Sequence, residues 1–116
     1  MDVVIYHNPR CSKSRQTLAL LRERGIEPDI IEYLKTPPSA AELRRLVKLL
    51  GMAPRDLMRR KEAPFKDRNL GDPSLTDDAL ISAMHEDPVL IERPIVVRGD
   101  RAAIGRPPEA VLEILA

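Results

Sequence analysis

The first third of the chain reads strand, helix, strand, and no other feature narrows the fold as much. Val3, Val4, Ile5 and Tyr6 make a short apolar run suited to a buried strand over residues 2–6. A helical pattern follows from about residue 12 to 24, with Leu18 and Leu21 on one face, and Gly25 supplies a C-terminal stop. Ile30, Ile31 and Tyr33 then read as a second strand. Two strands joined by a helix of this length are expected to lie parallel with a right-handed crossover.

Past the break at Lys35-Thr36-Pro37-Pro38, Ser39 and Glu42 are spaced as a capping box. Leu43, Leu46, Val47 and Leu50 continue as an amphipathic helix that ends at Gly51. Pro54 opens a short helix expected to carry Leu57, Met58, Arg59 and Arg60, and residues 61–74 read as a polar loop. Thr76 caps a helix with Asp77 and Asp78 in its first turn and Leu80, Ile81 and Met84 on its apolar face. Pro94 to Val97 and Ala102 to Ile104 form a hairpin around Arg98-Gly99-Asp100-Arg101. Pro107 or Pro108 starts a last helix expected to bury Val111, Leu112 and Leu115. The order βαβ, helices, ββα predicts an α/β chain with the thioredoxin-like three-layer arrangement. Its mixed four-stranded sheet would form one domain over residues 1–116, with a helical insertion at about 37–88.

Between the first strand and helix lies His7-Asn8-Pro9-Arg10-Cys11-Ser12-Lys13-Ser14-Arg15, which holds the only cysteine. A helix start presents unpaired N–H groups and the positive end of the dipole, and both favour a thiolate or a bound oxyanion. Arg10, Lys13, Arg15 and His7 are close in sequence, and the Ser12 and Ser14 hydroxyls could donate to the sulfur. Cys11 is therefore either an activated nucleophile or an inert, buried small residue. A lone cysteine excludes an internal dithiol cycle, so any resolving thiol must come from outside. It also excludes a cysteine metal cluster, and no metal site is expected. It suits a reducing, cytoplasmic setting. A formal net charge of +1 argues against a nucleic-acid partner, and no apolar run is long enough to span a membrane. The Cys-x5-Arg pattern of tyrosine phosphatases is absent, because Thr17 stands where the arginine would be.

The His-Asn-Pro-x-Cys-x-x-Ser-Arg stretch resembles the active-site signature of the glutaredoxin-coupled arsenate reductases. These are ArsC-like members of a thioredoxin-like superfamily that also holds Spx-like regulators. Further matching stretches include Tyr33-Leu34, Thr36-Pro37-Pro38-Ser39, Leu57-Met58-Arg59, Thr76-Asp77-Asp78, Ile91 through Val97 and Gly105 through Glu109. The resemblance implies that Cys11 attacks arsenate, with Arg59, Arg93 and Arg106 as substrate ligands. It gives His7 and Ser14 supporting roles at the thiolate and makes Pro94 the cis-proline candidate. It implies no bound cofactor, glutathione as co-substrate and glutaredoxin as partner. The alternatives are a glutathione-dependent thiol-disulfide reductase of the same fold, or an Spx-like protein that binds RNA polymerase. His85 reads as structural.

Overall fold

The structure is a computed structural model and describes residues 2–115. It divides into two compact units, Met1–Thr36 with Arg93–Ala116, and Pro37–Glu92.

The first unit holds the sheet. Its strands are β1 (Val3–His7), β2 (Asp29–Glu32), β3 (Ile95–Arg98) and β4 (Arg101–Ile104), in the order β2-β1-β3-β4. β1 runs parallel to β2, as the crossover requires, and antiparallel to β3. β3 and β4 form the expected hairpin. Helix α1 (Ser12–Glu23) packs on β1 and on a 3-10 segment, Pro108–Ile114. Val3 and Ile5 of β1 share a core with Leu18 and Leu21 of α1, Val96 of β3, and Val111 and Ile114. Leu21 and Ile5 are fully buried, and each such side chain stabilises the fold by about 1.5–3 kcal/mol.

The last helix departs from expectation. It is 3-10 rather than α, and it buries Pro108, Val111 and Ile114 while Leu112 and Leu115 are half-buried. The reason is the period. Three residues per turn stack positions i, i+3 and i+6 on one face, whereas the expected Val111, Leu112 and Leu115 follow an α-helical stripe. The segment is tied to the hairpin by Arg98, which donates to the Leu115 carbonyl, and Arg101, which donates to Glu113 O at 2.6 Å.

The second unit is helical. Helix α2 (Ala40–Leu50) starts with the expected capping box: Glu42 N–H donates to Ser39 Oγ at 3.1 Å, and Ser39 N–H donates back to the Glu42 carboxylate at 3.3 Å. It ends at Gly51 in the left-handed conformation, φ 67°. Helix α4 (Asp77–Glu86) is capped by Thr76 and packs on α2 and on the 3-10 turns Pro54–Leu57 and Pro88–Leu90. Leu43, Leu46, Leu57, Leu80, Ile81, Met84, Leu90 and Ile91 are the largest fully buried side chains of this unit among the described residues.

Two expectations fail in this unit. Residues 61–74 are not all loop, because Pro64 at the first turn supports a single-turn helix, α3 (Ala63–Asp67). The helix opened by Pro54 stops at Leu57, so Arg59 and Arg60 are not helical. Met58 instead bridges to Ile91, and Arg59 N–H donates to Leu90 O at 2.7 Å. Extended pairing with the segment after Leu90 displaces the helix there.

Gly105, just past β4, is buried between α1 and Pro94. A Cβ there would collide with Thr17 Oγ1 and lie 2.8 Å from Pro94 Cγ. Gly105→Ala is therefore expected to lower stability by about 1–3 kcal/mol, the cost of overpacking a filled site. Urea denaturation measures this directly, and a variant as stable as the parent would mean the site has room to yield.

Candidate active site

The loop between β1 and α1 is built by its own side chains. Asn8 Oδ1 accepts from Arg10 N–H at 3.0 Å, a turn that asparagine makes readily, and Cys11 N–H donates to Asn8 O at 3.0 Å. Cys11 becomes the N-cap of α1, with extended backbone at φ −94° and ψ 124° and no side-chain cap bond. Its thiol is thus left at the helix start, 8% exposed.

Ser14, fully buried one turn into α1, closes the loop from below. Its Oγ accepts from Asn8 N–H at 3.0 Å and lies 2.6 Å from His7 Nδ1. The hydroxyl proton can then go to Nδ1 of a neutral imidazole. This corrects two expectations. The Ser14 hydroxyl is turned to His7 and Asn8 rather than to the sulfur; its backbone N–H is the group that acts on Cys11. His7 is not in the turn but is the last residue of β1, and it is no cation at neutral pH. Burial holds it below its ordinary value, with Arg22 and Arg15 adding to the effect and Glu32 opposing it.

The charge at the sulfur comes from the other end of the chain. Burial pushes the Cys11 thiol up. The Ser14 N–H, the Arg93 guanidinium, through its charge and a hydrogen bond, and the Lys13 N–H outweigh that and hold the thiol below its ordinary value. Arg106 Nη2 lies 3.8 Å from Cys11 Sγ, and its Nε donates to Arg93 O at 2.8 Å. The hairpin register explains the meeting. Ile95 pairs with Ile104, so residues just outside that pair, Arg93 and Arg106, emerge side by side at the same end of the sheet. Gly105 N–H donates to Pro94 O at 2.9 Å and fixes that approach. The Arg93–Pro94 peptide is cis, as is Arg106–Pro107. Arg10, Lys13 and Arg15, the neighbours in sequence, are solvent-exposed; Arg15 Nη1 donates to Pro9 O at 2.9 Å.

Cys11, His7, Ser14, Arg93, Pro94 and Arg106 therefore all lie in the sheet unit. Arg59 belongs to the helical unit, where Nη2 is 3.5 Å from Glu62 Oε1 and Nη1 is buried without a hydrogen-bond partner among the described residues. A buried donor left in this way calls for an acceptor. Sequence reasoning missed Asn8, Thr17 and Gly105. The Asn-Pro pair was a legible turn signal, whereas the contacts of Thr17 and Gly105 depend on the packing of α1 against the end of the hairpin. Among the described residues no group of three or more His, Cys, Asp or Glu could hold a metal, and no helix is long and apolar enough to cross a membrane.

Comparison with known proteins gives findings at the level of family, sequence relatives and solved structures. A sequence model described as the ArsC family matches residues 6–114. The chain is 60% identical over 115 residues to the Escherichia coli protein YfgD, described as uncharacterized, covering 98% of this chain and 97% of that one. It is 50% identical over 115 residues to an arsenate reductase of Rhizobium meliloti, covering 99% of this chain and 82% of that one. Among solved structures it is similar to an arsenate reductase from Vibrio cholerae, with a TM-score of 0.96, 61% identity and 98% of each chain covered. The thioredoxin-like fold expected from the element order is the fold of this chain.

Two outcomes are expected. The alkylation rate of Cys11 against pH should show a midpoint below about 8.5, and Arg93→Met should raise it, since a cation is removed from the thiolate. A parent midpoint at or above the free value would refute this arrangement. His7 has a depressed pKa, so between that value and about 6.5 the unfolded chain binds more protons than the folded one. Stability is then fully present above that window and is lost as pH falls through it. Denaturant midpoints of the parent should fall on acidification through the window, and His7→Gln should flatten that slope.

Proposed function

This chain belongs to the ArsC family, and from that footing we propose that it is an arsenate reductase acting through Cys11, with glutathione as co-substrate and a glutaredoxin as protein reductant. The observation that carries the proposal is the meeting of a thiol held below its ordinary pKa with Arg93 and Arg106 at a helix start. Arsenate is a tetrahedral oxyanion. Guanidinium groups bind such an anion through paired, charge-assisted hydrogen bonds, and the positive end of the α1 dipole favours it as well. The arsenate reductases among the relatives support the choice of substrate.

The steps balance as follows. The Cys11 thiolate attacks arsenic, and one oxygen leaves as water after taking protons; arsenic remains in its higher oxidation state. The glutathione sulfur displaces a second oxygen as water in the same way. A glutaredoxin thiolate then attacks the arsenic-bound glutathione sulfur. The electron pair of the sulfur–arsenic bond stays on arsenic, which is thereby reduced, and the mixed disulfide departs. Water hydrolyses the bond from Cys11 to the reduced arsenic, releasing arsenite and restoring the thiol. The chain has no second cysteine, so both reducing sulfurs are external.

Arg93 has two tasks in this reading. Its positive charge keeps the sulfur ionised, and its planar fork holds the oxyanion against that sulfur. Arg106 is braced on the Arg93 carbonyl, so the two guanidinium groups are positioned together. The family resemblance gives Arg59 a contact with the same anion.

The test is arsenate-dependent NADPH oxidation coupled through glutathione, glutaredoxin and glutathione reductase. The parent should be active and Cys11→Ser inactive. Arg93→Lys and Arg106→Lys keep the charge and lose the fork, and each should lower kcat/KM for arsenate roughly ten- to a hundredfold. Arg59→Lys tests the third arginine separately. A parent that reduces mixed disulfides but not arsenate would replace this reading with that of a thiol-disulfide reductase.

A further inference from the structure

Beside the nucleophile loop, on the β2 side, lies a cleft of about 210 Å³. Its walls are Pro9 and Arg10 of the loop, and Glu32, Leu34 and Lys35 at the end of β2. Leu34 is 42% exposed, and among the described residues the exposed large hydrophobics are Leu34 and Ile30 of the adjoining strand. The turn that carries Leu34 and Lys35 is fixed, because Lys35 N–H and Thr36 N–H both donate to Glu32 O at 2.9 Å. The loop wall is fixed by the Asn8 turn that precedes Cys11. The cleft is thus formed without a ligand, on the residues immediately before the reactive sulfur.

Its charges have a pattern. Arg10 and Lys35 are exposed cations on opposite walls, and Glu32 lies near Lys35, 3.6 Å from Nζ. An exposed pair of this kind is worth little and exchanges readily for a ligand's groups. A molecule complementary to this cleft carries a pair of carboxylates, a single ammonium group, a short apolar backbone and, given the position, a thiol.

We propose that this cleft is the binding site for glutathione, with its carboxylates at Arg10 and Lys35, its ammonium group at Glu32 and its peptide backbone against Leu34 and Pro9. The proposal rests on the reading of the chain as a glutathione-dependent reductase and adds the place where the co-substrate binds. It separates the two substrates. Arsenate is held on the Arg93 and Arg106 side of the sulfur, and the peptide thiol arrives from the β2 side. Each site can then be altered without the other.

The test uses S-methylglutathione, which cannot react, titrated into nitrogen-labelled full-length protein and followed by amide chemical shifts. Shifts should concentrate at Asn8, Arg10, Glu32, Leu34 and Lys35. Lys35→Glu and Arg10→Glu, both at exposed positions, should each weaken binding roughly three- to tenfold, and added salt should weaken binding to the parent. In the coupled assay Lys35→Glu should raise KM for glutathione and leave KM for arsenate unchanged. Shifts at the cleft in a protein that does not reduce arsenate would uphold the site and overturn the arsenate reading alone. Arsenate reduction with no shifts at these amides, or with Lys35→Glu binding as the parent does, would overturn the cleft alone.

Discussion

The thiol at the start of α1 is held below its ordinary pKa although it is buried, and the surrounding residues are arranged to that effect. Burial alone would push the Cys11 thiol up. The opposing groups are two backbone N–H donors and Arg93. The donors cost the chain nothing extra, because the first N–H groups of any helix lack intrahelical partners. The arginine does require construction. The β3–β4 hairpin must return in register, Gly105 must pass between Thr17 and Pro94, and Arg106 must brace on the Arg93 carbonyl. Buried His7 and Ser14 fix the loop from beneath and leave the N–H of Ser14 directed at the sulfur.

Much of this was legible in the chain. The βαβ start, the capped helices and the final hairpin follow from periodicity and turn residues, and each is present. The failures have physical causes. The Pro108–Ile114 segment carries apolar residues that suit either an α-helix or a 3-10 helix, and hydrogen bonds from Arg98 and Arg101 to its last carbonyls belong to the form that is present. The single turn Ala63–Asp67 buries none of its residues, so no apolar stripe announced it. Arg59 left its expected helix because Met58 pairs with Ile91, a contact between residues far apart in sequence.

The candidate site shows the same division. Cys11 could be picked out from its position between strand and helix, but the cations that act on it could not be chosen by nearness in sequence. Arg10, Lys13 and Arg15 are adjacent and exposed, whereas Arg93 and Arg106 arrive through sheet topology. Only the family resemblance singled those two out from the chain alone. The neighbouring cations then acquire another use, since Arg10 joins Lys35 in walling the cleft on the β2 side.

In the proposed reaction the thiolate and the oxyanion share Arg93 and Arg106. This sharing is tested by titrating Cys11, through its alkylation rate against pH, with and without saturating sulfate as an unreactive tetrahedral anion. A dianion held by Arg93 and Arg106 places negative charge beside the sulfur and occupies the guanidinium groups that stabilise it. The midpoint should then move upward by about one pH unit. A midpoint unchanged by sulfate, in a protein that sulfate demonstrably binds, would contradict the account.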